Sequence, residues 1–430
     1  MSVLKVLSPE KIAALCDTDG EFHLAAKGWT GGFRFEGETE SLSLVVKDGH
    51  VHAGDPGNGP DVVSIKGPDE LWASLLAPVP PRYKNDLWPL VGKGYMALTG
   101  SELLFSQYFP ALARVVELLR PASGLPAHEV KETLQHGRID SPVGRYIHLD
   151  LEGQDYRVYF EEAGSGIPLI LQHTAGCHGS QWRHFFECKE ITDHFRLIAY
   201  DLPYHGKSLP PVGPQWWTEQ YKLRGDFLRS VPVTLAKALN LDKPVFMGCS
   251  VGGLLALDLA RYHPEEFRAV ISVEGVLKTD IPIDNPVITT MWDPRVSNDY
   301  KARMMDSLMS PTSPVAYRKE TSLMYAAGWP QTFMGDLNYY IEDFDMRTEA
   351  KNIDTSKVAV HILNGEYDYT GSIEKGREAH EAIPGSTWLG MDDIGHFGMS
   401  ENPEKFIEYL LPVLQTVREA GANVAENVSA

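Results

Sequence analysis

The sequence is short of the features that mark several large protein classes. Four cysteines in 430 residues (Cys16, Cys177, Cys188 and Cys249) show no CxxC or CxxH spacing. Neither a disulfide framework nor a structural zinc site is therefore expected. No run of about 18 apolar residues occurs, so no membrane span is expected. The amino-terminal stretch MSVLKVLSPEKIAALC lacks the apolar core of a signal peptide, and Asp17 and Asp19 follow it. Basic residues are scarce: 39 Lys and Arg against 58 Asp and Glu leave a formal net charge of −19. Nucleic-acid binding needs clustered cations to neutralise phosphates, so no nucleic-acid partner is expected. GxGxxG, P-loop and HExxH patterns are absent, which leaves no cofactor or metal to expect.

What is present is ordinary globular material, 43% hydrophobic and 23% charged. The reading is of a soluble cytoplasmic protein, and its length favours two domains. Before residue 122 the pattern is α+β. A short helix at 9–16 precedes alternating stretches at 31–36 and 41–47, a turn at Asp48-Gly49 and a strand from His50. A strand at 62–65 and a helix at 68–77 follow, and residues 104–120 carry apolar positions at helical spacing, with a kink expected at Pro110. Residues 123–143 read as a linker, with prolines, glycines and little hydrophobic content. From 144 a hairpin (145–150, 155–161) leads into short apolar runs at 168–172, 197–200, 244–247, 269–273 and 358–363. Helix-length segments separate them, which implies a mostly parallel sheet covered on both faces. Its ligand site should lie beyond the carboxyl ends of the strands.

The sharpest motif is Gly248-Cys249-Ser250-Val251-Gly252-Gly253, between the apolar strand PVFM and the helical run LLALDLARYH. A G-x-S-x-G turn from strand to helix is so tight that the flanking positions must lack side chains. The serine then stands at a helix amino terminus, where the dipole favours developing negative charge. A serine becomes an effective nucleophile only beside a base, and imidazole is the fitting one.

Further landmarks appear in order. His173-Thr174-Ala175-Gly176 follows the strand PLILQ; Asp201-Leu202-Pro203-Tyr204-His205-Gly206-Lys207-Ser208 follows LIAY. Asn364-Gly365-Glu366-Tyr367-Asp368 closes a later strand, and Gly395-His396-Phe397 lies near the end. Over residues 144–415 these resemble the α/β-hydrolase family: an HG-type oxyanion loop, a D-x-P-G-H-G-x-S stretch in which Tyr204 replaces a glycine, a G-x-x-D turn and the histidine loop. The chain order Ser, Asp, His is that of the fold. The resemblance implies Ser250 as nucleophile, His396 as base and Asp368 as the acid that orients it, with Glu274 as the rival acid. It implies an oxyanion hole from the Val251 amide and one from Thr174 or Ala175. His173 and His205 are expected to support loops, and Cys249 to point inward. A carboxylate at position 250 would mark the dehalogenase and epoxide-hydrolase branches; the serine excludes both.

Residues 5–120, with the run GKGYMALTGSELLFSQYF before a helix, resemble a sterol-carrier-protein domain, which encloses a lipid tunnel. The competing reading is an accessory or oligomerising domain with a filled core. The expected architecture is thus an α/β-hydrolase fold (144–275 and 351–430) with a helical cap at 276–350, preceded by a smaller α+β domain.

The cap segment is rich in Trp, Tyr and Met. A lid must line the pocket that it covers, so Trp182, Trp292, Tyr325 and Trp329 are candidate walls for a medium-sized hydrophobic acyl substrate. The expected reaction is hydrolysis of a carboxylic ester, lactone or carbamate through an acyl-enzyme. Hydrolysis of a carbon–carbon bond in a ring-cleavage diketone is the second enzymatic reading. An inactive lipid-binding or scaffold protein is the reading outside enzymology.

Overall fold

The computed structural model describes residues 4, 8–125, 136–279, 281 and 285–428. They form two compact units, one of residues 1–127 with 282–312, the other of 128–281 with 313–430.

The first unit is built on a five-stranded mixed sheet. Its strands are β1 (Gly31–Glu36), β2 (Ser41–Lys47), β3 (His50–Ala53), β4 (Val62–Lys66) and β5 (Ala97–Gly100), in the order β3-β2-β1-β4-β5. β1 runs antiparallel to β2 and parallel to β4. Alternation places Phe33 and Phe35 on the buried face of β1, beside Leu42, Leu44 and Val46 of β2. The helix Glu102–Leu119 departs from helical geometry at Tyr108, two residues before Pro110. The missing proline N–H accounts for that kink. Trp29, Phe33, Phe35, Trp72, Phe105 and Phe109 fill the interior completely buried.

This unit also takes in the helix Asn298–Asp306. Tyr300 packs edge-on against Phe109 at 5.6 Å, and its hydroxyl accepts a hydrogen bond from Trp88 Nε1 at 3.2 Å. Beside them the Arg303 guanidinium lies 2.6 Å from Asp86, 2.9 Å from Glu117 and 3.1 Å from Asp306. The segment expected to belong wholly to the cap therefore contributes core and charge pairs to the amino-terminal unit.

The second unit carries an eight-stranded sheet. Its strands are β6 (Val143–Leu151), β7 (Gln154–Ala163), β8 (Ile167–Gln172), β9 (Phe195–Tyr200), β10 (Val245–Cys249), β11 (Ala269–Val273), β12 (Ala359–Gly365) and β13 (Thr387–Met391). The order is β13-β12-β11-β10-β8-β9-β7-β6. From β13 to β9 every neighbouring pair is parallel, while β7 pairs antiparallel with both β6 and β9. Every residue of β10 and β11 is buried, as central strands of a covered parallel sheet require. The helix Val251–Tyr262 packs against both. Of the expected linker, residues 126–135 lie outside the described residues, and Val143 already opens β6. Among the described residues no helix is long and apolar enough to cross a membrane.

Removing one partner of a buried ion network leaves the others charged and unpaired. Arg303→Ala should therefore destabilise the protein by about 3–5 kcal/mol in urea unfolding. A loss below about 1 kcal/mol, the worth of a surface pair, would show that the network does not hold this unit.

Candidate active site

Three strands end on the residues of interest. β10 runs into Ser250, β12 into the turn bearing Asp368, and β13 into the loop bearing His396. All three stand beyond carboxyl ends of parallel strands, the usual ligand edge of such sheets.

Ser250 adopts φ 59°, ψ −113°, a conformation that an L-residue holds only under constraint. The constraint is close backbone packing. A Cβ on Gly248 would stand 2.6 Å from the Gly252 backbone, and one on Gly253 would stand 2.2 Å from the Val273 carbonyl oxygen. Ser250 N–H is tied to that same carbonyl at 3.0 Å. Its side chain is thereby lifted off the strand at the start of the helix Val251–Tyr262.

His396 Nδ1 lies 2.6 Å from Asp368 Oδ2. Asp368 is fully buried and accepts further hydrogen bonds from Thr370 N–H and O–H, both at 2.7 Å, and from Gly371 N–H at 2.9 Å. Burial alone would raise this carboxyl, but the imidazole and the Thr370 donors outweigh it and hold it at about 2. Glu274, the rival acid, has the opposite environment. Burial and the neighbouring Asp368 charge push it well above the carboxylate range, and its Oε1 accepts Gly365 N–H at 2.8 Å. The His396 loop is held from below: Gly395 N–H donates to Glu401 Oε1 at 2.7 Å, and Cys249 Sγ–H to the His396 carbonyl at 3.0 Å.

Among the described residues, the hydrogen-bond partner of Ser250 Oγ is Tyr340 Oη at 2.7 Å. Tyr340 belongs to a π-helical turn, Tyr339–Asp343. The Val251 amide lies near its hydroxyl. Nothing in the spacing of the aromatic residues around 340 marks this tyrosine out, because its position depends on one turn of unusual pitch.

The loop after β8 is more tightly held than its sequence suggests. Thr174 N–H donates to Gln181 Oε1 at 2.9 Å, and the Tyr325 hydroxyl meets Thr174 Oγ1. Gly176, at φ 65°, donates its N–H to Asp336 Oδ2 at 2.6 Å. The same carboxylate lies 2.8 Å from His205 Nε2, both side chains being fully buried. His205 Nδ1 faces the Pro203 carbonyl at 2.9 Å, so both ring nitrogens point at acceptors. Burial would lower this imidazole, but the Asp336 charge prevails and raises it. His173 differs: Nδ1 meets the Thr174 carbonyl at 2.7 Å while Nε2 accepts Leu202 N–H at 3.1 Å, a neutral ring that ties two loops. Tyr204, standing where the family pattern has glycine, takes φ 72° and lays its ring against Tyr221 at 4.5 Å.

The four candidate wall residues fall in different places. Tyr325 is buried at the loop just described. Trp182 is fully buried against Phe185 at 5.1 Å. Trp329 is half exposed and lines a cleft of about 510 Å³ with Gly176, His178, Tyr204, Trp216 and Thr332. Trp292 falls in the first unit, with the amino-terminal residues. That unit also holds Asp17, His23 and His50, whose donor atoms lie within 4.8 Å of one another, though His23 Nε2 already meets the Asp17 carbonyl at 2.8 Å.

Residues 167–403, just over half of the chain, match the alpha/beta hydrolase fold family. The chain belongs to that family. A pimeloyl-[acyl-carrier protein] methyl ester esterase of Vibrio cholerae is 24% identical over 269 residues, covering 59% of this chain and 96% of that protein. A bifunctional epoxide hydrolase 2 of Sus scrofa is 33% identical over 135 residues, only 31% of this chain and 22% of that protein. Among solved structures, an esterase from Thermogutta terrifontis superposes with a TM-score of 0.55 at 19% identity, covering 64% of this chain and 99% of that one. This α/β hydrolase is thus an enzyme whose relatives include esterases, and the structural likeness, at such low identity, speaks for the fold.

Asp336→Asn should cost about 3–5 kcal/mol of stability near pH 6 by breaking its buried pair with His205. The His205 value is raised above its ordinary 6.5. The pair's contribution is therefore complete below pH 6.5 and fades as pH rises through the folded value. The gap between variant and wild type in urea unfolding should narrow in the same direction. A gap that widens with pH would contradict a charged pair.

Proposed function

We propose that this α/β hydrolase cleaves a carboxylic ester, or a related lactone or carbamate, through a serine acyl-enzyme. The observation that carries the reading is the His396–Asp368 contact at 2.6 Å on the same strand edge as a serine at φ 59°. An esterase among the sequence relatives supports it.

Ser250 Oγ attacks the acyl carbon as its proton passes to His396 Nε2. Asp368, rather than Glu274, accepts Nδ1–H, holding the tautomer and balancing the imidazolium. Its depressed value keeps it charged, whereas Glu274 is pushed towards its neutral form. The acyl oxygen is held by the amides of Val251 and Ala175. Ala175 is preferred because Thr174 N–H is already given to Gln181. His396 then returns the proton to the leaving alcohol, and water repeats the sequence on the acyl-enzyme.

The helices Val315–Ala326 and Pro330–Asn338 and the turn after them serve as the cap. Their inward Tyr325, Phe333 and Tyr340 favour a medium-sized hydrophobic acyl group. The amino-terminal unit, with its interior filled by aromatic rings, serves as an accessory domain rather than a lipid carrier.

A fluorophosphonate should label the wild-type protein and leave Ser250→Ala unlabelled. Asp368→Asn should lower kcat on the order of 10⁴-fold by trapping the wrong tautomer. Labelling that survives in Ser250→Ala would overturn the assignment. The folded Asp368 value lies below its ordinary 3.8. Its ionisation therefore stabilises the fold above pH 4, and that contribution is lost as pH falls from about 4 to 2. Asp368→Asn should flatten acid unfolding over that window.

A further inference from the structure

We propose that Tyr340 is a catalytic residue, a third donor to the acyl oxygen that acts beside the two backbone amides. The inference rests on the serine-hydrolase reading above and assigns its site a further residue.

Two contacts fix where the phenol stands. Its oxygen is 2.7 Å from the nucleophilic Oγ, and it lies beside the Val251 amide that an acyl oxygen would take. The hydroxyl therefore occupies the edge of the position where negative charge develops. It is buried, and burial holds the phenol well above its ordinary titration range, so its proton stays on.

The turn that presents it is anchored at each end. The Tyr339 hydroxyl donates to Asp258 Oδ2 at 2.8 Å, and the Asp343 carboxylate accepts Gly225 N–H at 2.5 Å. Lys278 Nζ donates to the carbonyls of Ile341 at 3.2 Å and Phe344 at 2.9 Å. A side chain so held is pre-organised, the property that makes a fixed donor effective against developing charge. Pitch of this kind inside a helix commonly accompanies function.

The step balances without consuming the phenol. As the substrate enters, its carbonyl oxygen takes the Val251 amide, and the Tyr340 O–H turns towards that oxygen. The bond from Oγ to the acyl carbon forms, the carbonyl π pair moves to oxygen, and the serine proton goes to His396. Tyr340 O–H, Val251 N–H and Ala175 N–H share the resulting charge. On collapse the pair returns, the bond to the leaving oxygen breaks, and that oxygen takes the proton from His396. Tyr340 ends with the proton it began with.

The test compares full-length wild type, Tyr340→Phe and Ser250→Ala on p-nitrophenyl hexanoate. Each is also titrated with hexylboronic acid, whose tetrahedral serine adduct carries an anionic oxygen. Removal of one oxyanion donor typically lowers kcat about 10²–10³-fold. Tyr340→Phe should show that loss with KM changed only a few-fold, and its boronate inhibition constant should rise in parallel with the fall in kcat. Unchanged or faster turnover in Tyr340→Phe would overturn the proposal, leaving the hydroxyl as an obstruction that substrate must displace. A fall in kcat with unaltered boronate affinity would also overturn it, since the loss would then lie outside the charged intermediate. Wild-type protein that neither turns over the ester nor is labelled by fluorophosphonate would defeat the serine-hydrolase reading itself, and the proposal with it. A thermal melt of Tyr340→Phe matching wild type, or turnover restored by Tyr340→His, which keeps a donor, separates loss of the hydroxyl from misfolding.

Discussion

The contact on which the rest depends is backbone against backbone, where β10 turns into the following helix. Gly248, Gly252 and Gly253 bring the chain closer to itself and to the Val273 carbonyl than any side chain would permit. Only that proximity forces Ser250 to φ 59°. The strain, of order 1–3 kcal/mol at such positions, is borne by strands buried along their whole length. A parallel sheet with neighbours on both sides of β10 cannot yield there, so the serine stays raised and the helix dipole stays aimed at it.

A second layer of order comes from buried carboxylates with unlike surroundings. Asp368, Glu274, Asp336 and Glu401 are all buried. Asp368 has four donors and stays charged; Glu274 faces that charge and is pushed towards its neutral form. Asp336 gathers Gly176, His205 and Tyr221 around one side chain, and Glu401 holds the histidine loop by its amides. Each carboxylate fixes a loop whose backbone would otherwise have no regular partner. Buried ions cost desolvation energy and are poor sources of net stability; here what they confer is the position of three loops around one serine.

Local features were legible where a backbone rule acted alone. Strands 31–36 and 41–47 showed by alternation, the kink near Pro110 by its missing N–H, and the elbow by its glycines. β5 and β13 escaped notice because each is short, lies at a sheet edge and contains glycine, which blurs a strand pattern. The helix Leu87–Gly92 was obscured by Pro89 within it. Tyr340 and Asp336 were beyond reach for another reason. Their partners are 90 and 115 to 160 positions away, and nothing in either local pattern records such meetings. The aromatic richness of the region was visible, but the ring that meets Ser250 was not.

The first unit is discontinuous, since it closes only when 282–312 joins the residues before 128. During synthesis its Arg303 reaches Asp86 and Glu117 only after the whole of 128–281 has left the ribosome. At roughly 5–20 residues per second that is a wait on the order of 10–30 s. For that interval Asp86 and the Phe109 ring face the environment without the helix that completes them. A nascent chain of this design is vulnerable while these residues wait for the helix Asn298–Asp306, and chaperone dependence should concentrate there rather than around the eight-stranded sheet.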